Sequence, residues 1–207
     1  MMHRSLFVLL VAPVVACSAQ HSSAVPATRS APPVAMASSG PLSLEDSLLA
    51  IPSSRDRMRA LLQLGATSDR AMLAMVLRVA RSIPNTTDKS RLLTTLAPRY
   101  LSDSSVTLVA SFFRVARTIQ SSEEKRDFLI DVTPYAAKSA GIANAVIENA
   151  REVPSSPDRA DVLAALAEAG AIRRDDVKEN FTDALQEIPG KRDRERVERV
   201  VARVARR

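Results

Sequence analysis

The residues able to act as nucleophiles, or to hold a metal through nitrogen or sulfur, are few and sit at one end of the chain. The 207 residues include one cysteine, Cys17, and two histidines, His3 and His21. No thiol or imidazole follows residue 21, so a Cys–His or Ser–His nucleophile and the usual zinc ligand sets cannot form beyond it. A single cysteine also excludes an internal disulfide framework. Glu148 and Glu152 stand four residues apart, a spacing that puts both carboxylates on one face of a helix. Exposed acids of this kind usually do no more than solvate a surface. The expectation is therefore no enzyme activity, no cofactor and no metal.

A second set of residues recurs along the chain. Arg57, Lys89, Lys125, Arg159 and Arg194 each directly follow an acid, and the first four each precede a leucine by four residues. A cation in the first turn of a helix sits at the unfavourable end of the helix dipole, so its recurrence needs a reason. Two reasons are open. The stem can pack along an apolar groove while the head pairs with a neighbouring unit's acid or with carbonyls ending the previous helix; or the five cations form a basic ladder for an acidic ligand. Arg78, Arg81, Arg114 and Arg117 make a further set at i, i+3 spacing. The dipole favours cations in a last turn, and a positively lined surface is the alternative. Tyr100, Phe112, Phe113, Phe128, Tyr135 and Phe181 are expected in the core.

The five cations belong to a repeat. Gapless segments of fifteen residues align: IPSSRDRMRALLQLG from Ile51, IPNTTDKSRLLTTLA from Ile83, IQSSEEKRDFLIDVT from Ile119, VPSSPDRADVLAALA from Val153 and IPGKRDRERVERVVA from Ile188. Their starts lie 32, 36, 34 and 35 residues apart, the period of stacked two-helix units. Each opens on an apolar residue, usually followed by Pro, which cannot continue the preceding helix. Ser53, Asn85, Ser121 and Ser155 follow, each three residues before an acid. This is close to a capping box, in which the short side chain takes an orphan backbone N–H and the acid reaches back. Apolar residues at the tenth, eleventh and fourteenth positions, such as Leu92, Leu93 and Leu96, mark one helix face. The second helices are expected to begin near Ser68, Ser102, Ser139 and Arg173, and LSLEDSLLAI before the first unit reads as a truncated second helix. Five glycines and seven aromatics in the whole chain agree with helices throughout. The expected fold class is all-α: an α-solenoid of about five two-helix repeats over residues 41–207.

This pattern resembles tetratricopeptide-like and HEAT-like helical arrays. Over residues 51–207, the motif SS-x-D/E-K/R followed by leucines is similar to the helical repeats of bacterial beta-lactam-sensor-type membrane metallopeptidases. The tetratricopeptide signature of Trp, Gly, Tyr and Phe is absent, and so is HExxH. No peptidase activity carries over.

The amino terminus reads as an address. Arg4 precedes an apolar run from Leu6 to Ala16, too short to span a bilayer core of about 30 Å but suited to the central region of a signal peptide. The run ends in Val14-Val15-Ala16-Cys17, which resembles the bacterial lipobox; Val14 stands where leucine is commoner. The resemblance implies cleavage after residue 16 and lipidation of Cys17. The alternative is an ordinary secretory signal cut after a small residue such as Ala19. Ser18 resembles the outer-membrane sorting signal of Gram-negative lipoproteins. Residues 18–40 hold six Ser, six Ala, three Pro and one charge, a composition that forms no core, so residues 17–40 are expected to be a disordered tether, about 25 Å end to end.

The formal net charge of +6 is concentrated at the carboxyl end: residues 191–207 carry eight cations and three acids. There Val197, Val200, Val201 and Val204 share one helix face, and Glu198 takes the place of a leucine found in the four earlier units. That pattern suits a polar capping helix for the array. A basic helix contacting anionic lipid or cell-wall polymer is the alternative. The overall expectation is a non-enzymatic, membrane-tethered scaffold that binds a protein or peptide in the cell envelope, facing the periplasm from the outer membrane in a Gram-negative host. Nucleic acid is not an expected partner, because the chain carries an export signal.

Overall fold

The computed structural model describes residues 43–67, 69–102 and 105–206. Residues 1–42, and with them the leader, Cys17 and the tether, lie outside the described residues. Those described are all-helical, without strands. The helices are α1 (Leu44–Leu49), α2 (Ser54–Thr67), α3 (Arg70–Arg81), α4 (Thr86–Leu101), α5 (Val106–Ala116), α6 (Ser122–Asp131), α7 (Thr133–Ala136), α8 (Ala140–Arg151), α9 (Ser156–Glu168), α10 (Asp175–Gln186) and α11 (Lys191–Val204), with a 3-10 turn at Ala171–Arg173.

Short polar side chains start most of these helices. The oxygens of Ser53, Asn85, Ser121 and Ser155 accept the backbone N–H three residues on, at 3.3, 2.8, 3.3 and 3.4 Å. The acids at those positions do not take the cap residue's backbone N–H, as a full capping box would have them do. Glu124 and Asp158, and Asp193 at the same position of the last unit, accept instead from the preceding unit: Thr87 Oγ1 donates to Glu124 at 2.8 Å, Ser122 Oγ to Asp158 at 2.7 Å and Ser156 Oγ to Asp193 at 2.6 Å. Pairs 36 or 37 residues apart thus join the first turns of successive units. Burial pushes the Asp158 carboxyl up, but donors from Ser122 and Ser155 and the Arg126 guanidinium together hold it below the ordinary aspartate value of 3.8.

Gly190 shows how tight these joints are. It occupies the capping position of α11 but has no side chain to cap with, and its N–H donates to Ser156 Oγ at 3.3 Å. A Cβ there would lie 2.7 Å from Ser156 Oγ and 2.6 Å from Asp193 Oδ2. Gly190→Ala should therefore displace the Ser156 hydroxyl and break its bond to Asp193, at a cost of about 1–2 kcal/mol. Urea unfolding checks this, and an unchanged midpoint would show that the joint tolerates a methyl group.

Two series of helices alternate along the chain. In one, α2, α4, α6, α9 and α11 touch in that order; in the other, α1, α3, α5, α8 and α10 do so. Their facing sides bury Leu61, Leu93, Leu129 and Leu163 completely, the leucines of the eleventh repeat position. Glu198, at that position in α11, is exposed.

Counted from the capping residue, three of the second helices start within one residue of the expected positions, and α5 starts three residues later. Asp69 rather than Ser68 caps α3, and Ser105 rather than Ser102 caps α5; Ser139 caps α8 as expected, and Arg174 rather than Arg173 precedes α10. The second shift has a tertiary cause: α4 continues past Pro98 because Tyr100 and Leu101 are buried beyond it. The Tyr100 hydroxyl donates to the Leu73 carbonyl of α3 at 2.8 Å, and burial pushes its pKa up. Phe112 of α5 stacks on Tyr100 with 5.3 Å between ring centroids and meets Phe128 of α6 at 5.8 Å. One ring thereby joins α4, α5 and α6.

Candidate functional site

The five recurrent cations reach backbone carbonyls of the second series. Arg57 donates to the carbonyls of Leu49 and Ile51, at and just past the end of α1, at 2.9 and 2.6 Å, and to that of Ser82, after α3, at 3.1 Å. Lys89 Nζ lies 2.9 Å from Thr118 Oγ1 and 3.4 Å from its carbonyl, after α5. Lys125 donates to the Arg117 carbonyl at 3.2 Å and lies 4.0 Å from Glu152 Oε2. Arg159 donates to the Val153 and Glu187 carbonyls at 3.1 and 3.2 Å, and Arg194 to those of Gln186 and Ile188 at 3.4 and 3.3 Å.

Each cation therefore stands at the carboxyl ends of second-series helices, where the dipole and unpaired carbonyls attract positive charge. This offsets its unfavourable place in the first turn of its own helix. Lys89 and Lys125 are buried, only 6 and 5% exposed, so their head groups are spent on the protein's own backbone. Burial lowers the Lys89 pKa below 10.5, helped by the Arg81 charge. Burial lowers that of Lys125 too; Glu152 works against the shift and Arg117 with it.

The second cationic set divides. Arg78 makes two hydrogen bonds to Glu45 of α1, at 3.2 and 2.7 Å, and Arg117 pairs with Glu152 at 3.2 Å. Arg81 and Arg114 are exposed, with no described acid in ion-pair range. The carboxylates considered for acid–base chemistry are also engaged: Glu148 accepts from Arg151 at 2.8 Å, and Glu152 serves Arg117 and Lys125. Among the described residues, no three His, Cys, Asp or Glu side chains gather as a metal-ligand set. No helix among them is long and apolar enough to cross a membrane.

A concave site lies elsewhere. A groove of about 540 Å³ opens between the amino-terminal halves of α5 and α8, with α7 and the end of α4 completing its walls. Leu101 and Ile142 are buried beneath it, Val109 and Ala145 are half-buried, and Val106 is 82% exposed. Its polar side chains include Tyr135, Lys138 and Ser139, all contributed by α7 and the link to α8. Tyr135, expected in the core, is a half-buried wall of this groove. The volume falls within the roughly 300–1,000 Å³ of typical ligand sites. The residue types at 101–145 did not single it out in the sequence. The available signals were the 36-residue spacing between Ile83 and Ile119 and Pro134, which opens the separate turn α7 after α6 has ended at Asp131.

A smaller recess of about 260 Å³ lies between α10 and α11. It is lined by Ile172, Phe181, Leu185 and Val201, with Lys178, Thr182 and Glu198 among them. On the opposite side of α11 from its buried Val197, Val200 and Val204 lie Arg192 and Arg199, exposed and without a described acid in ion-pair range. Arg196 and Arg203 pair with Asp161 and Glu168 of α9.

Fold and site together define an all-helical chain with an apolar surface groove. No known family model matches it, and neither does any curated protein or solved structure with which it was compared.

Proposed function

We propose that the chain is a non-enzymatic, membrane-tethered scaffold that holds a protein or peptide segment in the bacterial cell envelope. In this reading its helices form an α-solenoid of about five two-helix repeats, and lipidated Cys17 is the anchor. The observation that carries it is the α5–α8 groove: an open apolar surface flanked by hydrogen-bonding side chains. Such a surface takes up a partner's apolar side chains while leaving its backbone amides access to water or to polar neighbours. The ordered contacts within the two helix series, at the sequence period of 32–36 residues, support the solenoid. Contact with anionic lipid or cell-wall polymer is the second reading, and the unpaired Arg192 and Arg199 on the outer side of α11 favour it.

Site-specific photo-crosslinking in intact cells compares the two. A photoreactive residue at Val106 should capture one reproducible protein, and Cys17→Ser should release the chain from the membrane fraction. Lipid or polysaccharide adducts at Arg199, with none to protein at Val106, would establish the second reading instead. Unchanged membrane retention of Cys17→Ser would remove the lipid anchor from the proposal.

A further inference from the structure

We infer that the α5–α8 groove recognises the free C-terminus of a partner polypeptide whose last residues are apolar; this rests on the proposed peptide-holding role. The first observation is charge. Lys138 lines the groove, is exposed, and has no described acid in ion-pair range. No described carboxylate lines the groove. Among the described lining residues Lys138 is thus the one charged side chain.

The second observation is how polarity is distributed. Tyr135, Lys138 and Ser139 come from consecutive turns at one wall, followed at once by Gly141 in the first turn of α8. The other wall is mostly apolar, with Leu101, Val106, Val109 and Ala110, and carries Ser102 as its one described polar side chain. The leading N–H groups of a helix have no intrahelical acceptor, and the dipole favours a negative charge beside them; in α8 the Ser139 side chain takes that of Ile142, leaving those of Ala140 and Gly141 as donors. At Gly141 the approach is open, since a Cβ there would meet only Ser139 Oγ, at 3.8 Å. A terminal carboxylate held by the Lys138 ammonium and these donors would set the preceding apolar side chains against Val106, Val109 and Ile142. An internal acidic residue carries its charge on a side chain and its backbone onward in both directions. A chain end carries the charge on the backbone itself, and it can stop against the α8 wall.

A polypeptide fits this surface better than a free fatty acid does. The groove is open along one side and mixes hydroxyls with its apolar walls, so a bound chain keeps its amides hydrogen-bonded. A hydrocarbon tail gains most from complete enclosure.

Isothermal titration of the full chain with two versions of one peptide tests the inference. The probes are acetyl-Gly-Ala-Leu-Val-Leu with a free C-terminal carboxylate and the same peptide as its amide, with dodecanoate as a third ligand. The free acid should bind about tenfold tighter than the amide at low salt, the size of a charge-assisted hydrogen bond. Lys138→Gln should erase that preference, and Val106→Glu, at an exposed position that tolerates a polar side chain, should weaken the acid form by about tenfold or more. Equal binding of acid and amide overturns the inference while leaving a peptide-holding groove in place. A preference that survives Lys138→Gln also overturns it, as does dodecanoate binding tighter than either peptide. If neither peptide binds, the inference fails; capture of a protein at Val106 then decides separately whether the scaffold role survives.

Discussion

Phe112→Ala should destabilise the protein by about 3–5 kcal/mol, the range for truncating a fully buried aromatic. Three features put Phe112 there. Its ring is completely buried, it stacks on Tyr100 at 5.3 Å, and it meets Phe113 edge-on at 5.6 Å and Phe128 at 5.8 Å. Its contacts belong to three helices, so a void there cannot close by moving one of them. Tyr100 would lose its stacking partner, and its hydroxyl, bonded to the Leu73 carbonyl of α3, holds the ring against collapse into the void. Small domains have only about 5–15 kcal/mol of total stability, so the variant should unfold at markedly lower urea concentration. Val106→Ala is the control, because Val106 is 82% exposed and its truncation should change stability by less than about 0.5 kcal/mol. A loss below about 1 kcal/mol for Phe112→Ala would mean that the three helices do not meet at this ring.

Lys125→Ala should cost about 2–4 kcal/mol, unusual for a lysine because most lysines are exposed. The stem is buried at 5% exposure, and the ammonium donates to the Arg117 carbonyl at the end of α5. Truncation removes packed methylenes and strands both that carbonyl and one counter-charge of Glu152. Lys125→Met separates the contributions, since it keeps the stem and loses the charge; it should recover about half of the loss. Denaturation midpoints of the two variants measure this. If both variants match the parent in stability while the chain loses an acidic partner, the cation serves a ligand and not the fold.

Local rules made much of the architecture legible. Ser53, Asn85, Ser121 and Ser155 cap their helices, because a cap is made within three residues and depends on little else. The leucines of the repeat's eleventh position are core for a similar reason, since helical periodicity gathers them on one face. Rules of the same range misplaced the start of α5. Ser102 reads locally as a helix start, yet it closes α4, which runs on to the buried Tyr100 and Leu101.

The sequence by itself determined the helical class, the repeat spacing of 32–36 residues, and a cation in the first turn of each unit. Only the tertiary structure decided what those features touch. Lys89 finds its acceptors 29 residues away, and Ser122 donates to a carboxylate 36 residues away. Such partners depend on the register between helices, which is set by how whole faces interlock and not by any neighbouring residue. The groove has the same origin. It lies between α5 and α8 beside the short α7, and Lys138 acquires its meaning from the walls that fold places around it.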